Sequence, residues 1–284
     1  MKLGFIGLGN LGKAMAKRLI FEGVDLIVWN RSKSKADGLN VDIADSTKSL
    51  ISNSQIVFIN LSDSEAVKSV LVGDNGLLTE DCKGKIIVDT TTNHFESVVE
   101  FAELTRARGG RYLEAPVMGS VVPASQGNLT ILVSGDKQAF DTARPYLEKL
   151  GKKIFYLSRP GLAVKMKLIS NLCLASFMAS IAEALAFGEE VGVSKNDIIE
   201  ILANGGGNSA ILNAKRDKFL NNDFTPQFSS AMMYKDLHYL QDLSRSLKRP
   251  LFTASVIKEL YGATFSKKIE NLDFCAIYNI MKEF

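Results

Sequence analysis

Apolar residues in the first half of the chain come in short unbroken runs, and stretches with helical spacing separate them. The runs lie at 2–6, 26–29, 56–60, 86–89, 111–114, 131–134 and 153–156. A strand buried on both faces reads as such a run rather than as an alternation. Helical patterns fall at 11–21, 64–71, 95–108 and 137–150. Strand runs alternating with helical patterns predict a mostly parallel, doubly wound sheet with helices on both faces. Pro160-Gly161 then breaks the pattern, and a long apolar helix is expected over about 162–191. Lys165, Lys167 and Asn171 near its start and Glu183 near its end leave too short an uncharged stretch to span a membrane. It reads as a buried helix joining two domains. Everything beyond it is helical in pattern. The expected division is 1–160, an α/β domain, and 161–284, an all-α domain. The sequence contains no internal repeat and no low-complexity segment.

The first strand runs directly into Gly7-Leu8-Gly9-Asn10-Leu11-Gly12, and a helical pattern follows. Strand, glycine loop, helix and second strand together form the unit that binds dinucleotides in Rossmann-type sheets. Gly7 permits the tight turn, Gly9 the close approach of a pyrophosphate, and Gly12 the packing of helix on strand. The helix N-terminus presents N–H groups and partial positive charge to the phosphates. Such units carry Asp or Glu about twenty residues on when they hold the ribose hydroxyls of NAD. Here that place reads Trp29-Asn30-Arg31-Ser32. No carboxylate repels a 2′-phosphate, the guanidinium of Arg31 can pair with one and stack on adenine, and Asn30 and Ser32 can add neutral hydrogen bonds. The expected cofactor is NADP(H).

Composition narrows the setting. The chain has 284 residues, 46% hydrophobic and 23% charged, enough for two ordinary globular domains. The net charge of +3 is spread along the chain, and pairs such as Lys152-Lys153 are too short for a nucleic-acid surface. Cys82, Cys173 and Cys275 are odd in number and far apart. They suggest neither a disulfide framework nor a metal site, and point to a reducing cytoplasm. The N-terminus lacks a basic region and reads as a strand, not a signal peptide.

Three polar constellations stand out. Lys167 and Asn171 are four residues apart and share one face of the long helix. Burial would demand a reason for both. A Lys beside a nicotinamide can protonate a carbonyl oxygen, and as an amine take the proton back. Equally, the pair could lie at an exposed helix start and only solubilise it. The segment Glu114-Ala115-Pro116-Val117-Met118-Gly119-Ser120 follows a strand, where ligands bind in such sheets. Backbone N–H groups at Gly119 and Ser120, with the Ser120 hydroxyl, could hold a substrate carboxylate; a simple Pro/Gly turn fits as well. Tyr234-Lys235-Asp236-Leu237 is either a third polar site or a solvated pair on a helix. His94 and His238 lie in no setting that suggests a base or a metal ligand.

These residues together resemble the β-hydroxyacid dehydrogenases, which include 3-hydroxyisobutyrate dehydrogenase. Within them the chain is most similar to the NADPH-dependent glyoxylate/succinic semialdehyde reductases. The resemblance covers nearly the whole chain. It includes Gly4-Phe5-Ile6-Gly7-Leu8-Gly9, Val28-Trp29-Asn30-Arg31-Ser32, Leu61-Ser62-Asp63 and Asp89-Thr90-Thr91-Thr92. It continues through the segment from Gly109 to Val117, Lys165-Met166-Lys167-Leu168-Ile169-Ser170-Asn171, Lys235-Asp236-Leu237 and Leu272-Asp273-Phe274. It implies that Lys167 is catalytic with Asn171 beside it. It implies that Leu61, Ser62 and Thr92 contact the cofactor and that Lys235 lies near its nicotinamide end. Asp236 would join the polar network of the site, and Phe228 would line the substrate pocket. The implied substrate is a small carbonyl compound or hydroxy acid, and the implied assembly a homodimer or homotetramer.

The chain departs from that pattern at Met118, where the family usually has Ser, at Ala163, where it has Gly, and at Ser170. Losing a hydroxyl that binds a carboxylate costs about 1–3 kcal/mol. The expected substrate is therefore bulkier or less polar than glyoxylate. An imine reductase shares the architecture and the Asn-Arg-Ser turn, but usually has another residue in place of Lys167. A non-catalytic oligomerisation module of this type typically loses that Lys.

Overall fold

The computed structural model describes residues 2–283. The chain divides into two compact units at the Lys167–Leu168 bond.

In the first unit the order is β1 (Leu3–Ile6), α1 (Asn10–Phe21), β2 (Leu26–Trp29), β3 (Asp42–Ile43), α2 (Thr47–Ser52), β4 (Ile56–Ile59), α3 (Ser64–Val72), β5 (Ile86–Asp89), α4 (Phe95–Ala107) and β6 (Arg111–Glu114). Then come β7 (Val117–Met118), α5 (Val121–Ser125), β8 (Leu129–Gly135), α6 (Lys137–Leu150) and β9 (Gly151–Tyr156). Strands lie side by side in the order β3-β2-β1-β4-β5-β6-β8-β7, with β9 also paired to β8. The six from β3 to β6 are parallel and follow the doubly wound order, with the reversal between β1 and β4. Every residue of β1, β4 and β5 is buried, which is why those strands read as unbroken apolar runs. Phe5 and Phe58 stack across β1 and β4, 6.3 Å between ring centres.

The expected fold is present, with four additions. Strands β3 and β7 are two residues each, and α2 and α5 are six and five residues long. None is long enough to show a period. Strand β8 also runs antiparallel to β6 and β7, because the short β7–α5–β8 excursion returns the chain without a full crossover.

The helix α7 (Leu162–Glu190) leads into the second unit, where α8 (Lys195–Asn204), α9 (Ala210–Asn221), α10 (Ser230–Ser246), α11 (Ala254–Ser266) and α12 (Ile277–Met281) follow. By length and composition alone α7 could cross a membrane. Its buried positions Val164, Leu168, Asn171, Ala175, Met178, Ala182 and Leu185 recur at alternating steps of four and three. That is the stripe of a core helix, and Asn171 is its polar member. Phe219, Tyr261 and Tyr278 are fully buried in this unit, with Phe219 edge-on to Tyr278.

The glycines of the β1–α1 turn differ in the room around them. A Cβ at Gly12 would run into the carbonyl oxygen of Gly7, whereas one at Gly9 would meet nothing within 4 Å. Gly12→Ala is therefore expected to lower the unfolding free energy by about 1–3 kcal/mol, and Gly9→Ala by less than about 0.5 kcal/mol. Urea unfolding of the two variants checks this; equal effects would contradict the packing described.

Candidate active site

The nucleotide end of the first unit is built by the turn between β1 and α1. Gly7 has φ +94°, and its N–H donates to the Trp29 carbonyl at 3.1 Å. Helices α2, α3, α4 and α6 are capped by the side chains of Ser46, Asp63, His94 and Asp136. Helix α1 begins at Gly9 with no side-chain cap and no acidic residue in its first turn. An uncapped helix start with open space at Gly9 is a cradle for an anion. The residues present thus fit a pyrophosphate. Leu8 and Gly12 are buried, Leu11 is half-buried, and Gly9 and Asn10 are exposed on the rim.

Asn30, just beyond β2, is committed on both sides of its amide. Its Oδ1 accepts from the Leu8 N–H at 2.9 Å, and its Nδ2 donates to the Ser32 carbonyl at 3.0 Å. It ties the glycine loop to the end of β2. Arg31 and Ser32 beyond it are exposed.

The loops after β4 and β5 are locked together beside this turn. Asp89 ends β5 with no exposed surface. It accepts from the Thr91 N–H at 2.9 Å, Asn93 Nδ2 at 2.8 Å and the Tyr112 hydroxyl at 2.6 Å. Burial raises the pKa of the Asp89 carboxyl, and pushes that of Tyr112 well above the usual tyrosine range. Thr91 Oγ1 in turn accepts from the Leu61 N–H at 3.0 Å, and Asn60 Nδ2 donates to Thr90 Oγ1 at 2.9 Å. Leu61, Ser62 and Thr92 are thereby held at the carboxyl edge of the sheet, where α/β folds bind ligands.

The next loop carries Met118, Gly119 and Ser120. Met118 is half-buried in β7, paired with Thr130 of β8. Gly119 has φ +134° and Ser120 φ +66°. A non-glycine residue in that region is strained by about 1–3 kcal/mol, and such strain collects at functional loops. From Ala115 to Gly135 the chain has no ionisable side chain.

Glu114, at the end of β6, is buried and turned onto the start of α7. Its carboxylate accepts N–H groups from Gly161 at 2.5 Å, Ala163 at 3.3 Å and Val164 at 3.0 Å. Ser134 Oγ accepts from the Ala163 N–H as well, at 3.1 Å. Burial pushes the Glu114 pKa up to about 7, against the pull of these bonds. Lys167 lies one turn further along α7 and is buried, 9% exposed. The neighbouring Lys165 stands 5.2 Å from the Phe95 ring centre.

In the second unit Asn171 Nδ2 donates to Asp236 Oδ2 at 2.6 Å, and both residues are 1% exposed. Lys235 Nζ lies 3.2 Å from Asp236 Oδ1 and 5.1 Å from the Tyr239 ring centre. The structure thus gathers Asn171, Lys235 and Asp236 into one polar cluster. Phe228 lies in a loop of this unit clamped by Asp273. The Asp273 carboxylate accepts from the Gln227 N–H at 2.9 Å and pairs with buried Lys215 at 2.9 Å. The Phe274 N–H donates to the Phe228 carbonyl at 2.8 Å, and the two rings meet edge to face.

The histidines are structural in setting. His94 Nδ1 accepts from the Glu96 N–H at the start of α4, and His238 Nδ1 lies 3.1 Å from the Tyr234 carbonyl. Among the described residues no group of three or more His, Cys, Asp or Glu side chains could hold a metal ion. Sequence reasoning missed the tasks of Asp89, Glu114, Lys215 and Asp273. The available signal was a carboxylate closing an apolar run, at Asp89 and Glu114.

Residues 2–158 match the family model described as the NAD binding domain of 6-phosphogluconate dehydrogenase. Residues 161–281 match the one described as NAD-binding of NADP-dependent 3-hydroxyisobutyrate dehydrogenase. Glyoxylate/succinic semialdehyde reductase 1 of Arabidopsis thaliana is 32% identical over 285 residues, spanning 99% of this chain and 99% of that protein. The cytokine-like nuclear factor N-PAC of Gallus gallus is 33% identical over 280 residues, spanning 98% of this chain and 51% of N-PAC. The solved structure of Psf3 in complex with NADP+ and 2-OPP has a TM-score of 0.91 at 26% identity, covering 98% of this chain and 99% of that one. The chain belongs to the β-hydroxyacid dehydrogenase family, nicotinamide-dependent oxidoreductases acting on CH–OH and carbonyl groups.

Proposed function

We propose that the protein is an NADP(H)-dependent reductase of small aldehydes and semialdehydes, with Lys167 as the general acid. The observation that carries the reading is a lysine buried one turn from an asparagine on a core helix, in a chain built to hold a dinucleotide. The bound nicotinamide would supply the hydride for the carbonyl carbon. Lys167 donates a proton to the carbonyl oxygen, and its neutral amine takes the proton back in the reverse direction. Asn171, anchored by Asp236, orients that chemistry. Lys235 belongs to the same polar group.

At the other end of the cofactor Arg31 pairs with the 2′-phosphate, and no carboxylate at 30–32 opposes it. The N-terminus of α1, with Gly7 to Gly12, takes the pyrophosphate, and Leu61, Ser62 and Thr92 take the nicotinamide half. We assign this work to residues 1–160, and substrate selection and assembly to residues 161–284. Ser120 and the backbone of Gly119 contact the substrate beside Met118, and within the helical unit Phe228 contributes to substrate selection. Exposed Phe177, Phe187, Val191 and Ile201 in the helical unit support assembly into a homodimer or homotetramer. The three cysteines are all free, which supports a cytoplasmic setting.

Arg31→Ala is expected to raise the KM for NADPH at least tenfold and leave that for NADH within about twofold, since charge-assisted bonds contribute about 1.5–3 kcal/mol. Comparable kcat/KM for both cofactors in the unaltered enzyme would overturn the preference. Lys167→Ala should lower kcat about 10²–10⁴-fold without weakening NADPH binding; an unchanged rate removes the assignment. Met118→Ser should improve kcat/KM for glyoxylate about tenfold, the worth of one recovered hydrogen bond. No gain would show that Met118 is not at the substrate.

A further inference from the structure

We infer that Glu114 is the positioning residue for Lys167: from the end of β6 its buried carboxylate grips the first turn of α7 and so fixes where the proposed general acid stands. This rests on the reading of Lys167 given above.

Every helix start leaves backbone N–H groups without helical partners. Helices α2, α3, α4 and α6 satisfy theirs with a residue at their own beginning. Helix α7 is different. The N–H groups of Gly161, just before it, and of Ala163 and Val164 in its first turn go to a carboxylate 47 to 50 residues away in sequence. A local cap would satisfy the same groups without attaching the helix to anything. Glu114 attaches it to the sheet. Its strand partner Ser134 adds a second acceptor at the Ala163 N–H. Ser158 and Gly161 both have positive φ in the turn between β9 and the helix.

Lys167 follows Val164 by three residues, on the same side of the helix. A hydrogen-bonded helix transmits the placement of its first turn to its second. Glu114 also precedes Met118-Gly119-Ser120 in the chain, so one side chain sets the acid against the loop proposed to hold the substrate. Misplacing a reacting group by about 1 Å can cost up to about 10²-fold in rate.

The grip depends on the charged form, since protonation removes acceptor capacity from one oxygen. The groups facing Glu114 are Asp89 beside it on β5, Tyr112 on its own strand with its hydroxyl committed to Asp89, and the neutral Ser134 on β8. In the first two turns of α7 the charged groups are Lys165 and Lys167. With the Glu114 pKa up at about 7, acid loosens the grip just below neutrality. An ammonium acid is lost as pH rises, so it would not account for a fall in reduction rate on the acid side.

The test uses the full chain with NADPH and succinic semialdehyde, and compares Glu114→Gln, Ser134→Ala and Lys167→Ala with the unaltered enzyme. Glu114→Gln should lower kcat about tenfold, keep NADPH Kd and aldehyde KM within twofold, and abolish the acid-side fall in kcat near pH 7. Ser134→Ala should lower kcat less and move that fall to higher pH, because its hydrogen bond holds the Glu114 carboxyl down. A folded Glu114→Gln with unaltered kcat, or with the acid-side fall intact, overturns the inference. If that variant does not fold, Ser134→Ala with the fall unmoved overturns it. Full activity in Lys167→Ala would defeat the underlying assignment instead. A dead Lys167→Ala beside an unimpaired Glu114→Gln defeats only the positioning role.

Discussion

Helix α1 approaches the end of β1 so closely that no side chain fits between Gly12 and the Gly7 carbonyl. The rest of the nucleotide-binding half follows from that contact. It brings an uncapped helix start to the carboxyl edge of the sheet, next to the reversal of strand order between β1 and β4. The open space at Gly9 and the donors of the first turn are then set by packing and by the Gly7 N–H bond to the Trp29 carbonyl. Asn30 extends the arrangement to the end of β2 by binding the Leu8 N–H.

A second theme is the buried carboxylate that collects donors. Asp89, Glu114, Asp236 and Asp273 are each at most 2% exposed. Burial of an unpartnered carboxylate would be prohibitive, and each of these is hydrogen-bonded. Asp89 orders the loop with Thr92, Glu114 the start of α7, Asp236 holds Asn171, and Asp273 clamps the loop with Phe228. Such partly desolvated networks are costly to disturb and therefore rigid. Each of the four fixes a loop or a helix within its own unit.

The fold was legible in the sequence because its strands are buried on both faces and its helices alternate with them. Strands β3 and β7 escaped because two residues carry no period. Helix α2 starts with a Ser46–Ser49 reciprocal cap rather than the Ser-to-Glu form that sequence reading looks for. Part of the candidate site was legible for a different reason. Gly7 to Gly12 are local, and Lys167 and Asn171 are one helical turn apart. The positioning side chains were not legible. Glu114 meets Gly161 across 47 residues, Lys215 meets Asp273 across 58, and Asn171 meets Asp236 across 65. Periodicity carries no information at that range; only the folded sheet and helices make these residues neighbours.

We propose that this chain reduces small carbonyl compounds with NADPH. The most direct measurement is NADPH consumption by the purified protein across glyoxylate, succinic semialdehyde, methylglyoxal, tartronate semialdehyde and longer aldehydes. Turnover is expected, with the less polar or bulkier aldehydes favoured over glyoxylate if Met118 takes the place of a carboxylate-binding hydroxyl. NADPH binding without reduction of any of these compounds would contradict the proposal.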